Sequence, residues 1–337
     1  MLVQTKSWHS VTSGAGPRHR LRLSAAHDEW NHVGIALTAM DEGYLAHEGL
    51  TDVELVTFPE QSGALLEREA AQVDLLANGA VDIGIDPRTT FVLEAKNEGQ
   101  PVCIVAARRK NHAFILVGQK GMESIDDLKG TTLFTSLPGG ANDVMLRQVL
   151  RDSGIDPEED VTISYTGGDM HDSAGAMDAF REGRYGPAVL SSRVGPLIEE
   201  GFPVLADLRT LYHSRHDRVT GANEDFTRAH PELVTGFLKG MIRACNFVVD
   251  RENAQRFKDI VVGAGFLTTD REKRNFDSLF EGWQERVSRD LTLPQDGIDL
   301  IVKEEKEAGR ISSTFDVKQV LRLDSLEQAQ RELNARG

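Results

Sequence analysis

The stretch Leu21–Leu50, LRLSAAHDEWNHVGIALTAMDEGYLAHEGL, holds three local signals in succession. Leu21, Leu23 and Ala25 alternate with polar or small residues, the period-two pattern of a short strand. His27, Asp28, Glu29, Trp30, Asn31 and His32 follow as a polar loop. From Val33 to Met40 apolar residues recur at helical spacing, and Gly43 stands where a left-handed residue ends a helix. Val53 to Thr57 alternates again as a second strand. The chain therefore opens as β-α-β, with its polar loop at the carboxyl end of the first strand, the edge where open α/β sheets bind ligands.

The same unit recurs downstream. Ser62 to Asn78 has helical spacing and Val81 to Ile85 is a strand. Asp86, Pro87, Arg88, Thr89 and Thr90 then open a helix that runs to about Asn97. Pro101 to Ala107 is wholly apolar, as in a strand buried on both faces. The basic run Arg108 to His112 separates it from the apolar strand Ala113 to Val117, and reads equally as a crossing between lobes or as a charged hairpin tip.

A second series follows: the strand Thr131 to Thr135, then the small-residue loop Ser136 to Asp143 with Gly139, Gly140 and Asn142, then the helix Val144 to Ser153. Free backbone N–H groups at such a helix start can hold a carboxylate, sulfonate or phosphate, and an ordinary N-cap reads as well. The Lys-Ser/Thr of a phosphate loop is absent. Val161 to Tyr165 leads to Thr166, Gly167 and Gly168. The strand Pro187 to Leu190 leads to Ser191, Ser192 and Arg193, and Phe202 to Leu208 is the last strand of this half. A polar connector holding Tyr212, His213, His216, Asp217 and Arg218 precedes Val219, where a return to the first lobe is expected. From Asp225 onward the pattern is helical, ending with a helix from Asp316 to Leu333. Strands first and helices last give an α/β chain of two lobes, residues 21–109 with 218–337 and residues 110–217, carrying a C-terminal helical tail. Residues 1–20 read as a flexible leader.

With 337 residues the chain exceeds one ordinary core. Its 40% hydrophobic and 27% charged content is that of a globular protein, and a net charge of -15 with pI near 5.2 argues against nucleic acid. Cys103 and Cys245 lie in apolar segments and read as buried thiols, not a disulfide. The first twenty residues hold neither a signal-peptide apolar core nor a lipid-anchor Cys, so the chain as written reads as cytoplasmic, or as periplasmic or extracellular if an export segment has been removed. No transmembrane segment is expected.

The segments AHDEWNHVGIALTAMDEGYLAHEGL, NGAVDIGI with VLEAKNEGQPVCIVAA, SIDDLKGTTLFTS with GGANDVMLRQVLRDSGIDPEEDV, and AHPELVTGFLKGMIRACNFVV resemble the type II periplasmic binding proteins for nitrate, taurine and alkanesulfonates, a group that also holds the thiamine-pyrimidine synthase proteins. The resemblance covers about Leu21 to Asp250. It implies two lobes joined by crossing strands and a ligand cleft between them. There His27 to His32 and Asp86 to Thr90 would face Ser136 to Asp143, Thr166 to Gly168 and Ser191 to Arg193. The cysteine-rich motif of the thiamine-pyrimidine synthase is absent. The aromatic sulfinate desulfinase is similar too, with an Arg in the loop matching Asp86 to Thr90, but its nucleophilic Cys would fall near Trp30, where this chain has none.

Arg88 is the expected anion partner, its planar fork matching a carboxylate or sulfonate, with Arg193 second. Asp28, Asn31, Asp86, Thr89, Ser136 and Asn142 would add hydrogen bonds, while Trp30 and Tyr212 would stack on a planar ligand. His27 and His32 would move a proton if the chain is an enzyme. Their spacing is weak as a metal motif and no cofactor is expected. A divalent metal enters only if His27 and His32 meet His213, His216 and Asp217. The leading expectation is a binding protein that captures an anionic or aromatic ligand for a transporter, with an ABC permease as partner if it is exported. The alternative is a cytoplasmic enzyme on the same scaffold, a decarboxylase, desulfinase-like lyase or hydrolase acting on an aromatic acid without a Cys nucleophile. A ligand sensor leaves no separate trace.

Overall fold

A computed structural model describes residues 3–9, 20–59, 62–109, 114–166, 173–191, 194–212, 218–268 and 270–335. The chain divides into two compact units, residues 1–110 with 215–337, and residues 111–214.

Unit 1 holds a six-stranded sheet. Its strands, numbered along the chain, are β1 (Gln4–His9), β2 (Leu21–Ala25), β3 (Asp52–Thr57), β4 (Ile83–Gly84), β5 (Val102–Ala106) and β11 (Thr220–Asn223), in the order β1-β3-β2-β4-β11-β5. β2 runs parallel to β3, pairing Leu21 with Val53 and Leu23 with Leu55, and parallel to β4. Nearly every β2 residue is buried, as a central strand requires. β11 is the expected return strand, inserted antiparallel between β4 and β5.

The helices of this unit's first segment are α1 (Trp30–Asp41), α2 (Tyr44–His47), α3 (Leu65–Ala77) and α4 (Thr89–Asn97). In α1 ten residues from Trp30 to Met40 are buried, so the helix is apolar nearly all round and lies inside the core. Gly34 is needed there, because a Cβ would stand 2.6 Å from the Phe257 ring. Gly43, at φ 73°, ends α1 as expected.

Unit 2 holds a five-stranded sheet of β6 (Phe114–Val117), β7 (Thr132–Thr135), β8 (Thr162–Tyr165), β9 (Ala188–Ser191) and β10 (Val204–Asp207), ordered β10-β6-β9-β7-β8. Its helices are α5 (Ala141–Asp152), α6 (Ser173–Arg181), α7 (Gly195–Glu199) and α8 (Leu208–Leu211). One core joins Leu116, Leu133, Leu146, Leu150 and Val189.

The remaining helices, α9 (Glu224–Ala229), α10 (Pro231–Val249), α11 (Ala254–Gly263), α12 (Asp270–Gln284), α13 (Gln295–Glu307) and α14 (Asp324–Asn334), all belong to unit 1. Phe237, Phe257, Phe280 and Leu326 join the core cluster that holds the buried face of α1, while Ile298, Ile301 and Phe315 share a second cluster with Val92 and Leu93.

Three expectations are corrected. Residues 4–9 of the expected leader form β1, paired antiparallel with the outer edge of β3 from Gln4↔Thr57 to His9↔Asp52. The single helix expected from Asp316 to Leu333 is interrupted, because Ile104 N donates to Val320 O and Arg322 N to Ile104 O, so that this segment lines the free edge of β5. Finally, α1 begins at Trp30, so Trp30, Asn31 and His32 are helical instead of loop.

Candidate functional site

Glu69 and Asp86 organise the carboxyl edge of the unit 1 sheet. Asp86 directly follows Ile85 beyond β4, whose N–H donates to Ser24 O at 2.6 Å, and it holds a left-handed backbone at φ 64°. A non-glycine residue there is strained and persists only where its surroundings fix it. Oδ2 of Asp86 accepts from His32 Nδ1 at 2.7 Å, from Arg109 Nη2 at 2.8 Å and from Arg108 Nη2, while Arg218 Nη1 donates to its backbone carbonyl. The other carboxylate oxygen, Oδ1, is buried with no partner among the described residues.

Glu69 comes from α3 and is completely buried. It accepts from Arg88 Nε at 2.6 Å, from Arg218 Nη2, and from His27 Nε2 at 3.2 Å. Burial alone would raise the Glu69 carboxyl, but Arg218, the His27 bond and Arg88 outweigh it and hold it well below the usual carboxylate range. Asp86 behaves alike: burial opposes ionisation, and Arg108, Arg109 and His32 overcome it. Burial also brings the Arg108 guanidinium down to about 10.

Four guanidinium groups thus meet two carboxylates where no participating side chain is more than 15% exposed. These six groups carry an excess of two positive charges. Buried charge is costly unless paired, so the arrangement favours an added anion. Nearby Ser24 Oγ, Thr57 Oγ1 and the Nε atoms of Arg68, Arg108 and Arg109 are buried without partners among the described residues. Buried polar groups are normally bonded, and such a set at one sheet edge fits a polar ligand or water.

The two histidines share this edge. Their rings stack with centroids 3.9 Å apart and planes 15° apart. Burial lowers His27 to about 4 and holds His32 well below its ordinary value.

Among the other expected residues, Arg88 is the N-cap residue of α4 and lies over the Phe91 ring at 5.7 Å. Its Nε is committed to Glu69, leaving the Nη end of the fork for any ligand. Thr89 is fully buried in the first turn of α4, and Asp28 is half-buried. Asn31 accepts on its backbone carbonyl from Arg108 and Trp283, while its side-chain Oδ1 has no partner among the described residues. Trp30, expected to stack on a ligand, is a core residue instead, its ring packed against Phe276 at 5.1 Å, Trp283 at 5.3 Å and Phe257 at 6.0 Å. It entered α1 because its apolar bulk is better covered inside.

In unit 2, Ser136 and Asn142 are buried and bond each other at 2.7 Å, and Gly139, at φ 68°, donates its N–H to Asp143. Gly140 is the N-cap residue of α5, and Thr135 Oγ1 beside this loop is buried without a partner among the described residues. Tyr212 does not join these residues: its hydroxyl donates to Asp152 at the far end of α5, about 15 Å along the helix from Asn142. Gly167, Arg193 and His213 lie outside the described residues, as does the side chain of Ser191.

Sequence reasoning missed Glu69 altogether and gave Arg108, Arg109 and Arg218 no site role. A signal existed for the first: Glu69 and Gln72 share the face of Val73 and Leu76, two polar residues in a buried stripe.

A family model described as NMT1/THI5 like matches residues 29–254. The bicarbonate transport ATP-binding protein CmpC of Synechococcus elongatus is 21% identical over 280 residues, 77% of this chain and 39% of that protein. The chain spans about two fifths of the length of the curated relatives it matches. Among solved structures, a sulfonate-binding protein SsuA from Methylobacillus flagellatus KT superposes with TM-score 0.68 at 15% identity, covering 95% of this chain and 96% of that one. The periplasmic nitrate-binding protein NrtA from Synechocystis PCC 6803 gives TM-score 0.60 at 15% identity, covering 96% and 91%.

Proposed function

The chain belongs to the NMT1/THI5-like family and has the fold of type II periplasmic binding proteins, and on that footing we propose that it is the ligand-capturing component of an importer whose ligand is a small anion. The observation that carries this reading is the excess of guanidinium charge over Glu69 and Asp86. A carboxylate, sulfonate or comparable oxyanion, including that of an aromatic or heterocyclic acid, suits the flat donor fork of arginine. The Nη ends of Arg88 and Arg109 are the proposed contacts in unit 1. Relatives are named for bicarbonate, sulfonate and nitrate, three anions of this kind.

The proposed partner is an ABC permease with its ATPase, and the proposed working place is the outer side of that membrane. Among the described residues no helix is long and apolar enough to cross a membrane. The enzymatic alternative has less support. Cys103 and Cys245 are buried, with thiols pushed up to about 11 and about 12, the reverse of an activated nucleophile. The reading requires no cofactor.

The test is a calorimetric and thermal-shift screen of bicarbonate, nitrate, alkanesulfonates and aromatic carboxylates on the full chain. A ligand at a thousand times its Kd stabilises by about 4 kcal/mol. The expected result is one class of anion that binds with unit stoichiometry, is recovered unchanged, and binds more weakly to Arg88→Ala. If no anion shifts the transition, or if Arg88→Ala and Arg109→Ala both bind the hit as the parent does, the assignment fails.

A further inference from the structure

We propose that unit 1 carries a second small-molecule site, for a zwitterion with an aromatic or bulky apolar body of the aromatic amino-acid type, and that its occupation is transmitted to Arg108 and Arg109. The site stands apart from the anion reading; only its role as an effector site rests on that reading.

A cavity of about 750 Å³ opens between α2, the end of α10, α14 and the Arg289–Asp290 segment, within the ~300–1,000 Å³ usual for small-molecule sites. No residue of the Glu69–Asp86 cluster lines it. Its apolar wall includes Tyr44, Phe247 and Leu333, all half-buried, with the two rings edge to face at 6.4 Å. Its rim carries both signs of charge. Arg289 is exposed, donates to Asn246 Oδ1 at 3.1 Å and pairs with no carboxylate among the described residues. The carboxylates of Asp250 and Asp290, also exposed, pair with no cation among the described residues. Arg243, the remaining charged lining residue, is already matched by Glu48. A ligand that fits therefore presents a carboxylate to Arg289, an ammonium group to the aspartates and a ring to Tyr44 and Phe247. An acid alone or an amine alone leaves one sign unmatched.

The segment that bears Arg289 is shared with the anion cluster. On one side Ser288 N donates to Arg108 O at 2.8 Å, Ala107 N donates to Leu291 O at 2.9 Å, and Val287 bridges Arg109. On the other, Arg289 O accepts from Asn246 Nδ2 at 2.9 Å and Asp290 O from Gln330 Nε2 at 2.8 Å. Leu291 closes the segment with a left-handed backbone at φ 62°, a strained conformation for a non-glycine residue that persists only where its neighbours fix it. A ligand that holds Arg289 and Asp290 steadies this segment, and with it the backbone from which Arg108 and Arg109 project. That ordering is then complete before an anion arrives, which gives positive coupling.

The test is calorimetry of the full chain with L-phenylalanine, L-tyrosine and L-tryptophan, with benzoate and phenethylamine as single-charge controls, and hydrogen exchange of the Ser288 and Ala107 amides. One amino acid per chain is expected. Both controls should bind about tenfold more weakly or worse, and so should the amino acid to Arg289→Ala, an exposed change that leaves the fold intact. With the amino acid bound, the two amides should exchange about fivefold more slowly, and affinity for the anion found in the screen should rise by about fivefold or more. No uptake of any of the three amino acids, a control that binds as well, or an unaffected Arg289→Ala overturns the site. Unchanged exchange at both amides, or an anion affinity indifferent to the amino acid, overturns the coupling. Uptake with slowed exchange in a chain that binds no anion supports the site and strikes the anion reading alone.

Discussion

Arg218 and Glu69, 149 positions apart in the sequence, are joined by a direct ion pair in which Arg218 Nη2 donates to Glu69 Oε1. The same guanidinium reaches the Asp86 carbonyl through Nη1, so one side chain ties α3, the loop after β4 and the strand returning as β11. Glu69→Gln leaves Arg88 and Arg218 without their buried counter-charge, and breaking such a pair from one side costs about 3–5 kcal/mol. The expected result in urea is a lower midpoint with an unchanged slope.

The pH dependence follows from the same groups. The folded His27 sits near 4, below an unfolded value of about 6.5. A depressed folded pKa means that the unfolded chain binds the proton first, so His27 contributes stability above pH 6.5 that is lost between 6.5 and 4. Its size is on the order of 3 kcal/mol. Glu69 and Asp86, also depressed, contribute stability present above about pH 4 and lost on further acidification. Denaturation at pH 7, 5.5 and 4 in chelated buffer should show a decline already under way at 5.5. His27→Gln should flatten the upper part of that decline and keep the lower.

Trp30→Ala measures the corrected placement of that residue. Its ring fills a cluster with Phe257, Phe276 and Trp283, so truncation costs about 3–5 kcal/mol. A ligand-stacking Trp would instead lose affinity at little cost in stability. The two readings separate in one pair of measurements, a denaturation curve and an anion titration.

What the sequence discloses depends on burial. The opening β-α-β unit was legible because β2 and β3 alternate, α1 carries an apolar run and Gly43 marks its end. β1 was not, since an edge strand exposed on most positions has no apolar alternation to read. The start of α1 was hidden because Glu29 gives no side-chain cap, and with it the helical placement of His32. The loops after β2 and β4 were found from their polar residues. Glu69 was not, because a helix shows which face is apolar but not that a carboxylate on that face will meet two guanidinium groups and an imidazole from distant segments.

Arg109 offers the sharpest test of anion capture. It is the guanidinium donor to Asp86 whose side chain is most exposed, at 15% against 2% for Arg108, so it combines charge with access. Arg109→Ala leaves Asp86 its bonds to His32 and Arg108, and the fold should hold. A hydrogen bond to a charged group contributes about 1.5–3 kcal/mol, which converts to a loss of roughly 10- to 150-fold in anion affinity. Tyr212→Phe removes a hydroxyl that bonds Asp152 at the other end of α5 and should leave affinity unchanged. Parallel titrations of both variants with the anion found in the screen decide the matter. An Arg109→Ala protein that binds as the parent does, or a Tyr212→Phe protein that does not, would move the ligand away from the sheet edge argued above.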